Sequence, residues 1–502
     1  MPQLLRRTAW TASFVLAVAV LFWAMAALAA WMTRIELREQ AQQRLAALHA
    51  GLPLWSWSPR QPNDLIAGHA FGKAHLLTGI EGVDSVSGNG SAFELGLPLG
   101  QSIDLRHWPV LRIRAKSSSP GQLGLSWETA APARCQIADA ASLSPVATDI
   151  VIDLRQLQAQ NAGTAPADCS LPQAATALRL RPTIPAGASW LLKEVAVIAV
   201  PPVAPPSQTS LVLGGDSVDA RRHYDRWMSD AAVPLVRLPM TVPAEDLLAL
   251  RDRILARQPG AVLAPDSTPL IPHLRTALPP WLGWALCALY LAWLLVAAQY
   301  RAPEWIALLL ILLGPLWLIV GLQWQLRPSV PALTSFLGAL AFAAWREWQR
   351  PGGVVAWHWF GQGFRSWLLP LALVAVAYGL VIAFGHGRLK PLPWRHVLLY
   401  LAWASLQQWL ILVAVMGRWE RWRWPAAVCV AAAATVFALL HTPNGLLMQL
   451  CLAAELYWAW CFIHTRSLAP IALAHAAAAL IVEAGLTGPL LRSLEISGRF
   501  FL

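Results

Sequence analysis

Strongly polar side chains interrupt the apolar last third of the chain at positions that could serve chemistry inside a membrane. They are Gln407, Gln408, His441, Gln449, Glu455, His475 and Glu483. An ionisable group within a bilayer is costly, so each of these residues is a candidate functional group by default. The alternative for each is a hydrogen-bonded polar group that packs helices together.

Two of these residues are histidines on separate predicted helices. His441 ends the run Phe437-Ala-Leu-Leu-His441, and His475 lies in a helix for which Ser467 is the predicted cap and Pro470 falls in the first turn. Two imidazoles on helices of one bundle can converge on a buried water or on a metal ion. His441 and His475 are therefore the candidate catalytic pair. A divalent metal bound by them is the one cofactor that the sequence suggests; the alternative is none.

The segment that carries both histidines resembles the CPBP family, which comprises the type II CAAX prenyl proteases and the bacterial bacteriocin-processing or Abi proteins. The family's FxxxH step corresponds to Phe437 and His441, and its T-x-S-L-x-P-I-x-x-x-H step corresponds to Thr465 through His475. The resemblance covers residues 396–486. It implies a polytopic helical membrane core and an endopeptidase activity toward a membrane-associated peptide or protein.

The first and last motif elements of that family are not kept here. Where the family has the Glu pair and the Arg of EExxxR, this chain has Gln407, Gln408 and Leu412. The final HxxxN becomes His475 and Ala479. In the family, a Glu and a His are thought to activate water, while the second His and the Asn are thought to stabilise the oxyanion.

These replacements bear directly on catalysis. An amide cannot accept a proton as a carboxylate does, and general-base catalysis contributes typically about 10²–10⁴-fold. An oxyanion donor is worth about 10²–10³ in kcat. Glu455 and Glu483 are carboxylates that could supply the base instead. Three functions stay open: an endopeptidase acting through His441 and His475, an inactive pseudo-protease that serves as a membrane scaffold, and a glycan-binding membrane protein acting through a β-domain.

The composition indicates a membrane protein. The chain has 502 residues, of which 57% are hydrophobic and 13% charged, and it contains 28 Trp. Soluble domains carry about 25% charged residues. This excludes a disordered chain, a soluble nucleic-acid binder and a disulfide miniprotein, so the expected partners are the lipid bilayer and a membrane-associated peptide or protein, with no nucleic acid.

Short runs with period-two alternation and turn residues between them predict an all-β, jelly-roll-like sandwich after Pro53. The runs are 110–116, 122–127, 149–154, 177–181 and 189–198. With the family resemblance, the predicted organisation is a transmembrane anchor (1–33), a juxtamembrane helix (34–52), the sandwich (53–200), a Pro-rich linker with a small α/β segment (201–278), transmembrane helices (279–395) and a CPBP-type core (396–502).

Positive charge in short loops predicts the orientation of the membrane part. The predicted spans are 10–32, 281–299, 304–325, 329–345, 366–386, 396–417, 425–442, 445–464 and 468–486. A cytoplasmic N-terminus places more loop arginines inside than outside. The prediction is thus a multi-pass protein of a bacterial-type cytoplasmic (inner) membrane with residues 34–278 extracytoplasmic, where a glycan could meet the β-domain.

The six cysteines divide into two groups. Cys135 and Cys169 stand alone in the predicted β-domain, which favours a disulfide between them in an oxidising compartment. The alternative is two unrelated buried thiols. The other four lie in apolar runs and are expected to be small buried hydrophobic residues: Cys287, Cys429, Cys451 and Cys461.

Overall fold

The computed structural model of the chain describes residues 2–50, 53–59, 61–79, 81–97, 99, 103–106, 108–129, 134–146, 148–162, 168–172, 175–198, 211–212, 235–238, 243–257, 261–265, 269–271, 279–324, 330–349, 357–361, 363–385, 389–487 and 491–501. The chain forms two compact units. One comprises Met1–Arg34, Pro243–Asp246 and Ala277–Leu502, and the other comprises Ile35–Val242 and Leu247–Thr276.

The first element is a single long helix, α1, over Pro2–Ala50. Its stretch Ala12–Ala46 is long and apolar enough to cross a membrane. The predicted anchor and juxtamembrane helix are therefore continuous. Near the C-terminal end of the helix, Ala41 and Leu45 are buried four residues apart on one face and join the core of the β unit.

The β unit contains two antiparallel sheets. One has the order β2-β3-β11-β5-β8, with β1 also paired to β11, and the other has the order β4-β10-β6-β7-β9. The strands are β1 Pro53–Trp57, β2 Ala74–Thr78, β3 Val83–Ser87, β4 Leu95–Leu97, β5 Val110–Ser117, β6 Gly121–Thr129, β7 Arg134–Leu143, β8 Asp149–Asp153, β9 Gln160–Asn161, β10 Ala175–Thr183 and β11 Ser189–Ile198.

Apolar side chains from both sheets form one core, which includes the fully buried rings of Trp108, Trp127 and Trp190. Alternation explains which residues enter it, since successive side chains of a strand point to opposite faces. In β10, Leu178 and Leu180 are buried while the residues between and beside them are partly exposed. A disulfide joins Cys135 of β7 to Cys169, with a Cα–Cα distance of 5.5 Å.

A small parallel sheet follows the sandwich in the same unit. It consists of β12 Leu211–Val212, β13 Leu235–Leu238 and β14 Val262–Pro265. Helix α2, Ala244–Arg257, lies between β13 and β14 in the chain, as a parallel crossover requires. The predicted proline-rich linker at 201–206 lies outside the described residues.

The C-terminal part is helical. Its helices are α3 Pro280–Gln299, α4 Glu304–Trp324, α5 Val330–Trp348, α6 Phe364–Phe384, α7 Trp394–Gln408, α8 Gly417–Arg421, α9 Ala426–Leu439, α10 Gly445–Thr465 and α11 Ala469–Leu486. In the described part of the chain, six helical stretches are long and apolar enough to cross a membrane: 12–46, 281–299, 364–384, 394–421, 445–465 and 469–486. Apolar stretches 304–319 and 426–439 are shorter, and the predicted span 329–345 is not among the six.

Two features of this part differ from the sequence-based expectation. A π-helical segment, Trp409–Met416, continues α7. The first turn of α11 is capped without Ser467, because the N-cap residue is Leu468 and the Ser467 hydroxyl donates to the carbonyl of Thr465. The prediction that Ser467 caps the helix was therefore wrong, whereas Pro470 does lie in the first turn.

Arg418 of α8 is fully buried and lies 3.3 Å from a carboxylate oxygen of Glu304 and 3.0 Å from one of Glu347. A buried charge is tolerated only when it is paired in this way. The Trp- and Arg-rich stretch 418–424 therefore begins with a buried, paired charge.

Candidate active site

Three polar side chains from three helices meet in the interior of the helical unit. The Gln408 Nε2 of α7 donates to Glu455 Oε2 of α10 at 2.8 Å and lies 3.2 Å from Nδ1 of His475 on α11. Gln408 and Glu455 are fully buried, and His475 is 5% exposed. The interaction brings together three of the sequence-predicted site residues.

The two N–H groups of the Gln408 amide account for both contacts. One donates to Glu455, and the other faces Nδ1 of His475, which must then be an acceptor. In the neutral imidazole the proton is therefore on Nε2, because the hydrogen bond at one nitrogen fixes the tautomer at the other. His475 thus presents an N–H donor at its far nitrogen.

His441 has the opposite arrangement. Its Nδ1 lies 2.8 Å from the backbone carbonyl of Phe437, one helical turn earlier. A carbonyl can only accept, so this nitrogen carries the proton and Nε2 keeps its lone pair. The Phe437 ring contacts both imidazoles, with centroid distances of 4.8 Å to His441 and 5.5 Å to His475. One ring therefore positions both candidate catalytic residues.

Both histidines line a cavity of about 650 Å³ within the helical unit. One wall is a face of α7, on which the spacing of three and four residues aligns successive turns. The residues of that face are His396, Tyr400, Trp403 and Gln407. The opposite walls are mostly apolar, so a ligand in the cavity would meet a few polar groups in an apolar environment, as is typical of small-molecule and peptide sites.

The remaining predicted site residues separate into distinct roles. Gln407 lines the cavity, and its Oε1 is buried with no hydrogen-bond partner among the described residues. Glu483 also lines the cavity, but its partner is His396, at 2.9 Å from Nε2 to Oε2. Gln449 donates to the carbonyl of Phe22 in α1, which is a helix-packing contact.

Besides the two glutamines, this chain departs from the CPBP motifs at two further positions, and the structure describes both. Ala479 lines the cavity, where the motif has an Asn. Leu412 is fully buried in the π-helical segment, where the motif has an Arg. No side chain at these two positions can donate a hydrogen bond, and the His475 ring supplies one of the donors that line the cavity.

The described residues contain no group of three or more His, Cys, Asp or Glu side chains arranged to hold a metal ion. Because Nδ1 of His441 and Nδ1 of His475 each have a protein partner, at most the two Nε2 atoms would be available to a metal. The suggestion that His441 and His475 bind a divalent metal stays a prediction, with these two nitrogens as its ligands.

Some residues of the site escaped sequence-based inference. Tyr400 and Trp458 contact the His475 ring, with centroid distances of 6.4 Å and 5.1 Å. The chain has 28 Trp, so a Trp gave no signal, and no local pattern set Tyr400 apart. Cys451, expected to be a buried hydrophobic residue, instead lines the cavity and is partly exposed.

Comparison with known proteins adds little to this site. No family model matches the chain, and no curated protein matches it. Among solved structures, a low-affinity xylan-binding module, CBM86, from the gut symbiont Roseburia intestinalis is 12% identical, and the match covers 29% of this chain and 95% of the module with a TM-score of 0.20. The family 11 carbohydrate-binding module of the cellulosomal cellulase Lic26A-Cel5E of Clostridium thermocellum is 10% identical, covering 29% and 87%, with a TM-score of 0.20. At these TM-scores neither likeness bears on the ligand or the activity of this chain.

Proposed function

We propose that this chain is a multi-pass membrane protein with an intramembrane endopeptidase site of the CAAX-protease-like kind, in which His441 and His475 are the catalytic pair. The observation that carries the proposal is the Gln408 amide, which joins Glu455 to His475 behind a cavity that His441 also lines. With the tautomers assigned from these contacts, His441 offers a lone pair and His475 an N–H, which are the base and the donor that peptide hydrolysis needs.

In the proposed reaction, His441 is the general base. Its Nε2 takes a proton from a water molecule, and the water oxygen forms a bond to the carbonyl carbon of the substrate peptide. The Nε2–H of His475 donates to the oxyanion that develops on the carbonyl oxygen. The C–N bond then breaks as His441 returns its proton to the leaving nitrogen, giving a carboxylic acid and an amine.

Gln407, Gln408 and Glu455 support this chemistry without exchanging protons with the substrate. The unpartnered Oε1 of Gln407 would accept a hydrogen bond from the attacking water and orient it. Gln408 holds the tautomer of His475, and Glu455 holds the orientation of the Gln408 amide. Such supporting contacts keep a catalytic group in its productive geometry. They would replace the family's Glu pair by a different arrangement of groups.

The orientation is part of the proposal. The N-terminus and the loop containing Arg421 face the cytoplasm of a bacterial-type cell, and the β unit faces the other side of the cytoplasmic membrane. The Cys135–Cys169 disulfide supports this orientation, because disulfides persist in oxidising compartments.

The experiment that tests the activity measures the release of new N-termini after the purified, reconstituted protein is mixed with solubilised membrane proteins. The wild type is expected to generate cleavage products, and His441→Ala and His475→Ala to lose about 10²-fold or more of the rate. His464→Ala is the matched control, because His464 makes the same Nδ1 contact, to the Trp460 carbonyl at 2.8 Å, but is exposed. Equal product levels in all four proteins would favour the inactive scaffold.

A second candidate function, glycan binding, is favoured by the outward face of the five-stranded sheet. Arg181 of β10 lies 3.0 Å from Glu94 and donates to Gln136, and Arg179 pairs with Glu128. The Arg179 guanidinium lies over the Phe71 ring, 5.6 Å from its centroid. Planar polar groups next to an aromatic ring can hydrogen-bond to a polyol and contact its apolar face.

The glycan candidate is tested by screening the purified full chain against immobilised oligosaccharides. Arg181→Ala is expected to abolish any binding seen with the wild type. Arg114→Ala is the matched control, since Arg114 forms similar pairs with Asp149 and Glu194 on the other sheet. No binding by the wild type, or equal loss in both variants, would contradict a site at this face.

A further inference from the structure

The last described segment of the chain, Leu491–Phe501, forms part of the wall of the cavity. We call this segment the C-terminal strap. Ser493, Leu494, Glu495 and Ile496 line the same cavity as His441 and His475. On either side of these four residues the strap is anchored by apolar groups, because Leu491 and Phe500 are fully buried. The strap is therefore packed over the site.

The turn that follows His441 holds the strap through its backbone. The Asn444 Nδ2 donates to the carbonyl of Ser493 at 2.8 Å and to that of Glu495 at 3.3 Å. The backbone N–H of Ser497 donates to the carbonyl of Thr442 at 2.9 Å. Asn444 is fully buried, and its Oδ1 accepts from the backbone N–H of Leu447, which caps α10.

Two further ties complete the attachment. The Ser497 hydroxyl donates to the carbonyl of Ile319 in α4 at 2.7 Å. The carboxylate of Glu245 accepts from the backbone N–H of Leu446 at 3.0 Å and also from that of Arg492. The hydrogen bonds to the strap itself involve its main-chain atoms or the Ser497 hydroxyl, and the Arg492 charge also acts on the Glu245 carboxylate.

We propose that the C-terminal strap occupies the edge of the cavity at which a peptide ligand binds. Asn444 binds the backbone carbonyls of the strap and, once the strap is displaced, those of the ligand. Because Asn444 binds the backbone carbonyls of two residues two positions apart, this contact does not depend on their side chains, as in peptide recognition through main-chain hydrogen bonds. The proposal rests on the proposed function in taking the ligand to be a peptide. Access to His441 and His475 then requires displacement of the strap.

Asn444→Asp isolates the Asn444 contact with the strap. The aspartate keeps an oxygen that can cap α10, and Asp is as good an N-cap as Asn. It loses both donors to the strap and places a carboxylate near two carbonyl oxygens. The loss of two hydrogen bonds, with repulsion added, is expected to raise the open population about tenfold or more. Ser497→Ala removes an independent tie and is expected to act in the same direction, by a smaller factor.

Cys451 reports opening without any requirement for hydrolysis, because its side chain lines the cavity. In a background with Cys287, Cys429 and Cys461 changed to Ala, and with the disulfide left intact, the rate of modification of Cys451 by a small methanethiosulfonate reagent is measured in detergent. Asn444→Asp is expected to accelerate labelling about tenfold. A second background, which keeps only fully buried Cys429 and the disulfide, controls for general loosening, and its labelling should not change.

Competition identifies the occupant. A synthetic peptide with the sequence of residues 491–501 should slow the labelling of Cys451 in the Asn444→Asp protein, and a scrambled peptide should not. Unchanged Cys451 labelling in both Asn444→Asp and Ser497→Ala, or equal protection by both peptides, would overturn the proposal. If protection is specific but no variant cleaves any protein, the peptide-binding edge holds and the endopeptidase assignment fails.

Discussion

Gln408 donates a hydrogen bond to Glu455 across 2.8 Å, and the same amide nitrogen faces the Nδ1 of His475 at 3.2 Å. The pair of adjacent glutamines is therefore divided between two environments. Gln407 faces the cavity, whereas Gln408 is buried behind it. The same change, from Gln to Glu, should therefore affect the cleavage rate at position 407 and the stability of the fold at position 408.

The first prediction compares Gln407→Glu with Gln408→Glu. Gln407→Glu adds a carboxylate to the cavity wall, where it could act as a base, and we expect cleavage to increase or begin. Gln408→Glu places a second carboxylate against buried Glu455, and two such groups cannot both ionise cheaply. We expect it to lower the free energy of unfolding by about 3 kcal/mol. Cleavage rate and thermal stability in detergent, measured on both variants, check the contrast; equal effects would contradict it.

The sequence selected His441 and His475 as polar residues within apolar runs and by the motif resemblance, and both rings line one cavity. It could not reveal how the polar residues pair. Gln408 and Glu455 are 47 residues apart, and whether they face each other depends on the rotation of two helices about their axes. The π-helical segment that begins at Trp409, directly after Gln408, departs from regular α-helical spacing, and nothing in its apolar sequence signals it.

The β region was more accessible to sequence-based reasoning. Period-two alternation in runs such as 110–116 and 189–198 coincides with β5 and β11, because a strand with one buried face leaves that pattern directly. By contrast, Asn444 resembled an ordinary turn residue. Its contact with the strap joins residues about fifty positions apart, so no local pattern could indicate it.

The second prediction concerns the disulfide. Cys135 and Cys169 close a loop with a sequence separation of 34. In the chain-entropy description, a cross-link of this length stabilises the folded state by about 4 kcal/mol. The double substitution Cys135→Ala and Cys169→Ala should therefore make the β unit more susceptible to pulse proteolysis, and adding reductant should do the same to the wild type. Cys287→Ala is the control. Free thiols at both positions in the untreated protein would contradict the cross-link.

The third prediction concerns orientation. A reporter enzyme that folds only outside the cytoplasm should be active when fused after Pro206 and inactive when fused after Arg421. The physical reason is the distribution of arginines among the short loops, which favours retention of the more basic side in the cytoplasm. A reporter that works only in the cytoplasm should give the reciprocal pattern. Activity of the first reporter after Arg421 would contradict the proposed topology.

The last prediction concerns pH and Glu245, whose carboxylate accepts a hydrogen bond from the backbone N–H of Arg492 near the start of the strap. Burial raises the pKa of Glu245, and the backbone N–H groups of Leu446 and Arg492 oppose the shift without cancelling it. The folded protein therefore binds this proton more tightly than the unfolded chain, in which a Glu has a pKa of about 4.3. A raised pKa contributes stability that is fully present below the unfolded value and is lost as the pH rises through the folded value.

We accordingly expect the melting temperature in detergent to fall as the pH rises from about 4 through the raised pKa of Glu245. Glu245→Gln should remove that part of the slope, because the amide oxygen can still accept the two N–H groups but does not titrate. Glu495→Gln, a change to an exposed strap carboxylate, is the control and should keep the wild-type slope. The measurement is a set of melting curves across this pH range for the three proteins. If the melting temperature varies with pH equally in Glu245→Gln and in the wild type, the buried Glu245 carboxylate is not the source of that pH dependence.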